Sequence, residues 1–501
     1  MLFNSNVFLQ FFAAFILLFF LVRRSLTARN WLIVAGSYLF YGWWDYRFLS
    51  LLFLSSLLDF WVGLRLEGTV SESRRRIWLM ASLTGNLGML GFFKYYGFFA
   101  ESLAALMEGW GMRISPMALN IVLPVGISFY TFQTLSYTLD VYRRQLKPTR
   151  NLVSFLAYVS FFPQLVAGPI ERASHLLPQM EQTRVITRAM LEEGLWLVLW
   201  GMFKKVVVAD NLAPLVDLAY RPGESTGPVV LLGTVAFGLQ IYGDFSGYSD
   251  IARGLALMFG FDIMVNFNLP YLATNIRDFW HRWHISLSTW LRDYLYRPLG
   301  GNRRGPGRTG INLLATMLLG GLWHGASWHF VVWGAWHGLG LLICRVWIQR
   351  RESRLRDPFP HGIAGNPQRP GFHAPGLAFE NTEKEGRFPN RLKTIFSWVL
   401  TMIFVFYGWL LFRAGSMSEV ASLTLAFGDW RCPDWLWSYA MRLAVVALPL
   451  VLMQIWQART ADLLAPMRWS VWTRSILEGV LLWAILVFWE QESTAFIYFQ
   501  F

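Results

Sequence analysis

The chain has 501 residues, of which 55% are hydrophobic, 17% aromatic and only 15% charged; 44 Lys and Arg against 31 Asp and Glu give a net charge of +13. Soluble chains carry about 25% charged residues, so this composition excludes a soluble globular protein, a disordered chain and collagen; its two cysteines, Cys344 and Cys432, form no Cys-x-x-Cys pair and no disulfide framework. A bilayer is the solvent such a chain suits. Its basic excess fits the cytoplasmic loops of a multi-pass protein rather than nucleic-acid binding, because no basic helix or RNA-binding signature accompanies it.

Residues 7–22, VFLQFFAAFILLFFLV, form the first apolar run. No Lys or Arg precedes it and no small-residue cleavage signal follows, so it reads as an uncleaved span rather than a signal peptide. Arg23, Arg24 and Arg29 follow it, which predicts an extracytoplasmic N-terminus. Spans need about 20 mostly apolar residues. Candidates lie near 6–22, 31–48, 49–66, 77–99, 118–141, 152–168, 192–218, 227–260, 311–347, 394–413, 440–457 and 474–490. The expectation is an all-α polytopic membrane protein, one domain over residues 1–501, with about 10–12 crossings. The stretches 227–260 and 311–347 are long enough for a hairpin or a broken helix. Loop charges alternate as an N-out protein requires: Arg23–Arg29 and Arg65–Arg76 are basic, 100–117 is acidic with Glu101, Glu108 and Arg113, and the next loop holds Arg143, Arg144, Lys147 and Arg150.

Polar clusters interrupt the apolar sequence. Phe162–Arg172, FPQLVAGPIER, has two prolines and a glycine and predicts a broken or re-entrant segment lining a cavity. Lys204 and Lys205 are read as snorkelling to an interface. In 240–250, QIYGDFSGYSD, Asp244 and Asp250 need partners at membrane depth, and a hydrogen-bonded network framing a polar cavity is the expectation. Their spacing of six puts them on different helix faces, against a glycosidase pair.

The run 279–304, FWHRWHISLSTWLRDYLYRPLGGNRR, reads at helical pitch as one amphipathic helix of about four turns. Trp280, Trp283, Leu287 and Trp290 share a face, with His281, His284, Ser288 and Arg292 beside them. Pro298 and Gly300–Gly301 end it. It is too polar to cross lipid; it either dips into the protein or lies on the surface with no chemistry. The run 319–338, LGGLWHGASWHFVVWGAWHG, carries His324, His329 and His337 among glycines, with no Lys, Arg, Asp or Glu between Arg308 and Arg345. An imidazole at membrane depth is a candidate general base; the alternative, a core histidine bonded to a backbone carbonyl, stays open for each and is favoured for His329 and His337. A metal site from His281, His284 and His324 is disfavoured, because no nearby Asp, Glu or Cys completes the shell. The polar stretch 350–393, with six prolines and Arg345–Arg356 at its start, predicts a loose cytoplasmic loop. No Walker A loop, dinucleotide fingerprint, His-Glu-x-x-His pattern or nucleophile elbow is present.

At these residues the chain resembles a membrane-bound O-acyltransferase. Phe279–Asn302, Gly321-Leu-Trp-His-Gly325 and Trp333–Gly338 carry the resemblance, supported by Gln240–Gly260, Phe162–Arg172 and the C-terminal Phe496-Ile-Tyr-Phe-Gln-Phe501. The bacterial branch that O-acetylates exported polysaccharides, as in alginate acetylation, is the most similar; the D-alanyl teichoic acid branch is similar but usually shorter. The resemblance implies a ring of transmembrane and re-entrant helices around a central tunnel in the bacterial inner membrane. It implies His324 as the catalytic histidine and His284 as its assistant. Asp244, Gln240, Tyr248, Arg282, Trp323 and Ser288 are assigned to the substrate cavity. It implies no tightly bound cofactor, a cytoplasmic thioester donor such as acetyl-CoA, and a polysaccharide acceptor reached through a periplasmic hydrolase-like partner. His324 would act as general base or as transient acyl carrier. The rivals are a transporter or flippase, whose mark is paired broken helices in matching halves, and a non-catalytic scaffold of a polymer-export complex.

Overall fold

The structure, a computed structural model, describes residues 1–112, 119, 121–221, 225–355, 391–489 and 496–497. Among them every regular element is a helix. Most of the 350–393 stretch, the end of the 100–117 loop and the last four residues of the C-terminal hexapeptide lie outside the described residues.

The chain opens with α1 (Asn6–Val22), started by the Ser5 hydroxyl accepting from Phe8 N–H. Helices α2 (Leu26–Asp45) and α3 (Leu49–Glu67) join through a tight 3₁₀ turn at Tyr46–Phe48, so the expected spans 31–48 and 49–66 are one bent pair. Helix α4 (Glu72–Leu90) runs through a π-helical turn, Gly91–Tyr95, into α5 (Tyr96–Gly109). Then come α6 (Ile127–Tyr142), α7 (Leu152–Ser160), the single-turn α8 (Phe162–Leu165) and α9 (Ala173–Met180). Helices α7 and α8 are too short to cross a bilayer, and α8 is wholly buried; the 152–168 candidate is a segment broken before Pro163, one of the two forms expected of FPQLVAGPIER.

Helices α10 (Arg188–Met202) and α11 (Asn211–Ala219) are continuous through a π-helical stretch, Phe203–Asp210. They pack along α12 (Gly227–Met258), which is one unbroken 32-residue helix rather than a hairpin. Glycines let this pair touch at the backbone: a Cβ on Gly201 would stand 2.6 Å from the Gly247 carbonyl, and one on Gly254 2.5 Å from the Gly194 carbonyl. Small residues are the means by which helices approach in lipid, where no hydrophobic force drives them together.

Helices α13 (Ile276–Arg282) and α14 (Ile285–Leu291), with a π turn at Arg292–Tyr296, occupy the 279–304 run. The 311–347 candidate is a hairpin, one of the two forms expected of it: α15 (Gly305–His324), an extended Gly325, then α16 (Trp328–Leu355). Helices α17 (Arg391–Arg413), α18 (Met417–Ala426), α19 (Leu436–Thr460) and α20 (Val471–Val487) complete the fold.

Five described stretches are long and apolar enough to span a bilayer: Leu26–Glu67, Gly227–Met258, Trp328–Arg350, Arg391–Arg413 and Leu436–Thr460. Large apolar side chains such as Leu21, Trp472 and Ile343 stand exposed around the outside, as a lipid-facing surface requires. Inside are two apolar cores. One joins α1, α2, α6, α7 and α9; the other joins α10, α11, α13, α17 and α19. Helix α12 feeds both, with Tyr248 and Ile251 in the first and Tyr242 and Phe245 in the second. Trp323 belongs to the first core and Trp333 to the second, so His324 sits at their seam.

Candidate active site

His324 is the last residue of α15. The final carbonyls of a helix have no intrahelical partner and need capping from elsewhere. Here the π turn after α4 supplies the caps. Lys94 Nζ donates to the carbonyls of Trp323 (2.6 Å) and His324 (3.1 Å) and to Ser128 Oγ (3.3 Å), and the Tyr95 hydroxyl donates to the Leu322 carbonyl at 2.9 Å. An ammonium at a helix C-terminus also meets the negative end of the dipole. Its three N–H donors are all engaged, so Lys94 holds the backbone of the histidine. The α15–α16 crossing fixes the other side. A Cβ on Gly321 would lie 2.2 Å from the Phe330 carbonyl, and one on Gly334 2.3 Å from the Met317 carbonyl.

The imidazole of His324 is buried among the rings of Trp333 (5.0 Å), Trp323 (5.1 Å) and Phe412 (5.4 Å), with the His284 ring 6.5 Å away. His284 arrives there because the 279–304 run is not one helix. Between α13 and α14, Trp283 is extended and His284 takes a left-handed conformation with φ +44°. The cause is the strand-like segment 266–268. Asn268 N–H donates to the Arg282 carbonyl and Ile285 N–H to the Asn266 carbonyl, both at 2.9 Å, taking backbone groups a continuous helix would use. The helical wheel places the tryptophans correctly but cannot foresee this competition from outside the run.

Asn266 also fixes the tautomer of His284. Its Oδ1 receives the backbone N–H of Ser286, which can only donate, at 3.3 Å, so that atom is the acceptor. His284 Nδ1, 3.1 Å from the same oxygen, therefore carries a proton, and Nε2 is the unprotonated nitrogen of the neutral ring. The Phe245 ring meets His284 edge-on at 4.6 Å.

Two cavities lie along α15. The first, about 630 Å³, is bordered by His324, Trp323, Lys94, Ser128, Phe129 and Tyr41 and reaches Met1. The second, about 500 Å³, lies toward the other end of α15 and is lined by Arg277, Arg292, Arg345, Ser288, Trp280 and Met317. Met317 is about two turns from His324. Trp333 contacts both His324 (5.0 Å) and Trp280 (5.8 Å), and Trp280 lines the second cavity.

Of the residues expected in the cavity, Trp323 borders the first and Ser288 the second. Arg282 lines neither: it pairs with Asp278 at 2.8 Å and bonds the Asn268 carbonyl. Gln240, Asp244 and Tyr248 line neither cavity as well. Asp244 is buried 2.6 Å from Lys205 Nζ, which also pairs with Asp210 at 2.8 Å, and Lys204 pairs with Asp250 at 2.7 Å. The snorkelling expected of Lys204 and Lys205 is thus wrong. Both are buried, because carboxylates at matching height on α12 remove the cost of their charge. Asp244 further accepts Ile497 N–H at 2.6 Å, tying down the start of the C-terminal hexapeptide. Tyr248 packs between Phe3 and Phe496.

His329 bonds the Leu411 carbonyl at 3.3 Å, the core role anticipated for it. His337 is buried among Phe279, Trp280 and Trp333, and no described residue bonds its ring nitrogens. His281 lines the second cavity while His284 faces His324, so the two do not share a face. Lys94 and Asn266 were missed. Lys94 had a signal, a lone ionisable residue inside the apolar 77–99 run. Asn266 had none, sitting in an ordinary polar connection.

These features define a multi-pass helical membrane protein in which the buried His324, with His284 beside it, borders an aromatic cavity, and a basic cavity lies further along the same helix. Residues 143–369 match the model of the membrane-bound O-acyltransferase (MBOAT) family. The chain is 42% identical over 442 residues to a protein named probable alginate O-acetylase AlgI of Azotobacter vinelandii, covering 87% of this chain and 80% of that one. A protein of the same name from Pseudomonas putida is 38% identical over the full length of both. The peptidoglycan O-acetyltransferase of Helicobacter pylori is 33% identical over 452 residues, 84% of this chain and 78% of that one. The chain belongs to the membrane-bound O-acyltransferase family and is an O-acyltransferase; the transporter and scaffold readings fall away.

Proposed function

We propose that this protein O-acetylates an exported polysaccharide from the bacterial inner membrane. It takes the acetyl group from a cytoplasmic thioester such as acetyl-CoA and releases it on the extracytoplasmic side through a periplasmic hydrolase-like partner. The relatives named for alginate and peptidoglycan O-acetylation support the acetyl group and the polymer class. The observation that carries the reading is the position of His324, which borders one cavity and is joined through Trp333 and Trp280 to a second that lies further along the same helix. The second cavity has Arg277, Arg292 and Arg345 at hand for the phosphates of a thioester donor. The first has aromatic walls and His324 for the acceptor.

With the N-terminus outside, as the loop charges predict, Met1 puts the first cavity on the extracytoplasmic side. His324 serves the transfer either by accepting the proton of an acceptor hydroxyl or by carrying the acetyl group between donor and acceptor. His284, with Nδ1–H committed to Asn266, offers a basic Nε2 to the same reaction. The test is a sided one. In proteoliposomes, radiolabelled acetyl-CoA supplied on the Arg345 face should label acceptor on the opposite face, and acetyl-CoA supplied on the Met1 face should not. Equal labelling from both faces would sink the directional reading.

A further inference from the structure

A third cavity, about 560 Å³, lies at the end of the fold where α6 finishes and α15 begins, and acetyl transfer as described makes no use of it. Arg143 caps α6, Arg172 and Ser174 start α9, and Asp293, Tyr294, Arg297 and Arg303 come from the π turn and loop before α15. With Asp140, the lining holds four arginines and two aspartates, a net charge of +2.

Both carboxylates are already engaged. Asp140 accepts the Tyr294 hydroxyl at 2.8 Å. Asp293 receives Arg297 (3.0 Å), Arg292 (3.0 Å) and Arg172 (3.5 Å). Arg143 and Arg172 lie over the Tyr294 ring at 5.1 and 4.4 Å, which orients their planes. Among the described residues no carboxylate lies within ion-pair distance of Arg143 or Arg303. Their bonds are to backbone carbonyls, of Asp293 and of Arg297, each at 3.3 Å. A guanidinium has five donors in a fixed fork, so the one bond given for each leaves further donors beside a cavity of net positive charge. Forked donors of this kind match the oxygens of a phosphate.

We propose that this cavity binds a phosphate group, borne either by a soluble phosphate ester or by a phospholipid headgroup, with Arg143 and Arg303 as its ligands. The site stands apart from the acetyl-transfer reading, since neither arginine lines the other two cavities.

The experiment uses the full chain in detergent with adenosine 3′,5′-bisphosphate as the soluble probe. Phosphatidylcholine vesicles with and without phosphatidylglycerol serve as the headgroup probe. The readout is the apparent affinity from the rise in unfolding temperature. The Arg143→Gln/Arg303→Gln protein should lose about tenfold or more in affinity for the effective probe, as removal of charge-assisted bonds costs. The corresponding double lysine variant should recover part of it. Arg303 is exposed, so Arg303→Gln alone reports on the site if loss of Arg143 impairs folding. An arginine-dependent response to the bisphosphate identifies the soluble ester, and one seen only with phosphatidylglycerol identifies the headgroup. If neither probe stabilises the protein, or the glutamine variants respond as wild type does, the proposal is wrong.

Discussion

At the residue scale the site is held by a lysine that bonds the backbone of His324. Lys94 caps the carbonyls of Trp323 and His324 from another element. Buried hydrogen bonds to a charged group contribute about 1.5–3 kcal/mol each. Lys94→Met should therefore lower the turnover number by about tenfold or more by releasing the last turn of α15, with little change in the apparent KM for the donor. Lys94→Arg should restore part of the rate. Initial-rate kinetics on purified variants check this, and a Lys94→Met enzyme with wild-type turnover would show that the cap is dispensable. His324 itself was legible from the sequence because an ionisable group among glycines in an uncharged stretch stands out against lipid. Lys205 and Asp244 were legible as polar but not as partners. They lie 39 positions apart, and only the packing of α10 along α12 brings them to one height.

At the element scale the sequence shows where helices are and is weaker on where they break. The 227–260 candidate stays whole because its carboxylates find cations on the π-helical stretch after α10, so no break is needed to satisfy them. The 279–304 run breaks because a distant segment, 266–268, claims its backbone groups. Helical periodicity carries no information on either event. The α15–α16 hairpin was foreseeable from Gly325 and the length of the run, and its crossing supplies an element-scale prediction. A methyl group on Gly321 must displace the Phe330 carbonyl, and such overpacking costs about 1–3 kcal/mol. Gly321→Ala should lower the unfolding temperature in detergent and reduce activity in step, whereas Gly479→Ala, with open space around it on α20, should lower neither.

At the scale of the whole molecule, composition and hydropathy sufficed for an all-helical membrane protein, and two histidine motifs sufficed for its family. What they could not supply was the division of the interior into two cores with the site at the seam, which depends on long-range packing. Outside the spans, an ion cluster ties the α7–α9 region to the segment after α12. His175 Nδ1 lies 2.8 Å from Glu171, and its Nε2 3.7 Å from Asp262. Asp262, then Glu171, pull the His175 pKa up from 6.5 to about 10 against the opposing effect of burial. The folded state thus binds this proton more tightly than the unfolded chain. The resulting stabilisation is complete below pH 6.5 and is lost as the pH rises toward 10. Thermal unfolding followed from pH 6 to about pH 10 should show this decline, and His175→Gln should flatten it. An unchanged slope in that variant would place the pH dependence elsewhere.

The central claim is that acyl transfer runs through His324. The most direct measurement compares wild type with His324→Ala, both purified and reconstituted with membrane extract as a source of acceptor, for transfer of label from radiolabelled acetyl-CoA. The wild type should transfer label, and the variant should transfer none while keeping its unfolding temperature. Transfer by a folded His324→Ala protein would contradict the account, and the search for the reacting group would then move to His284.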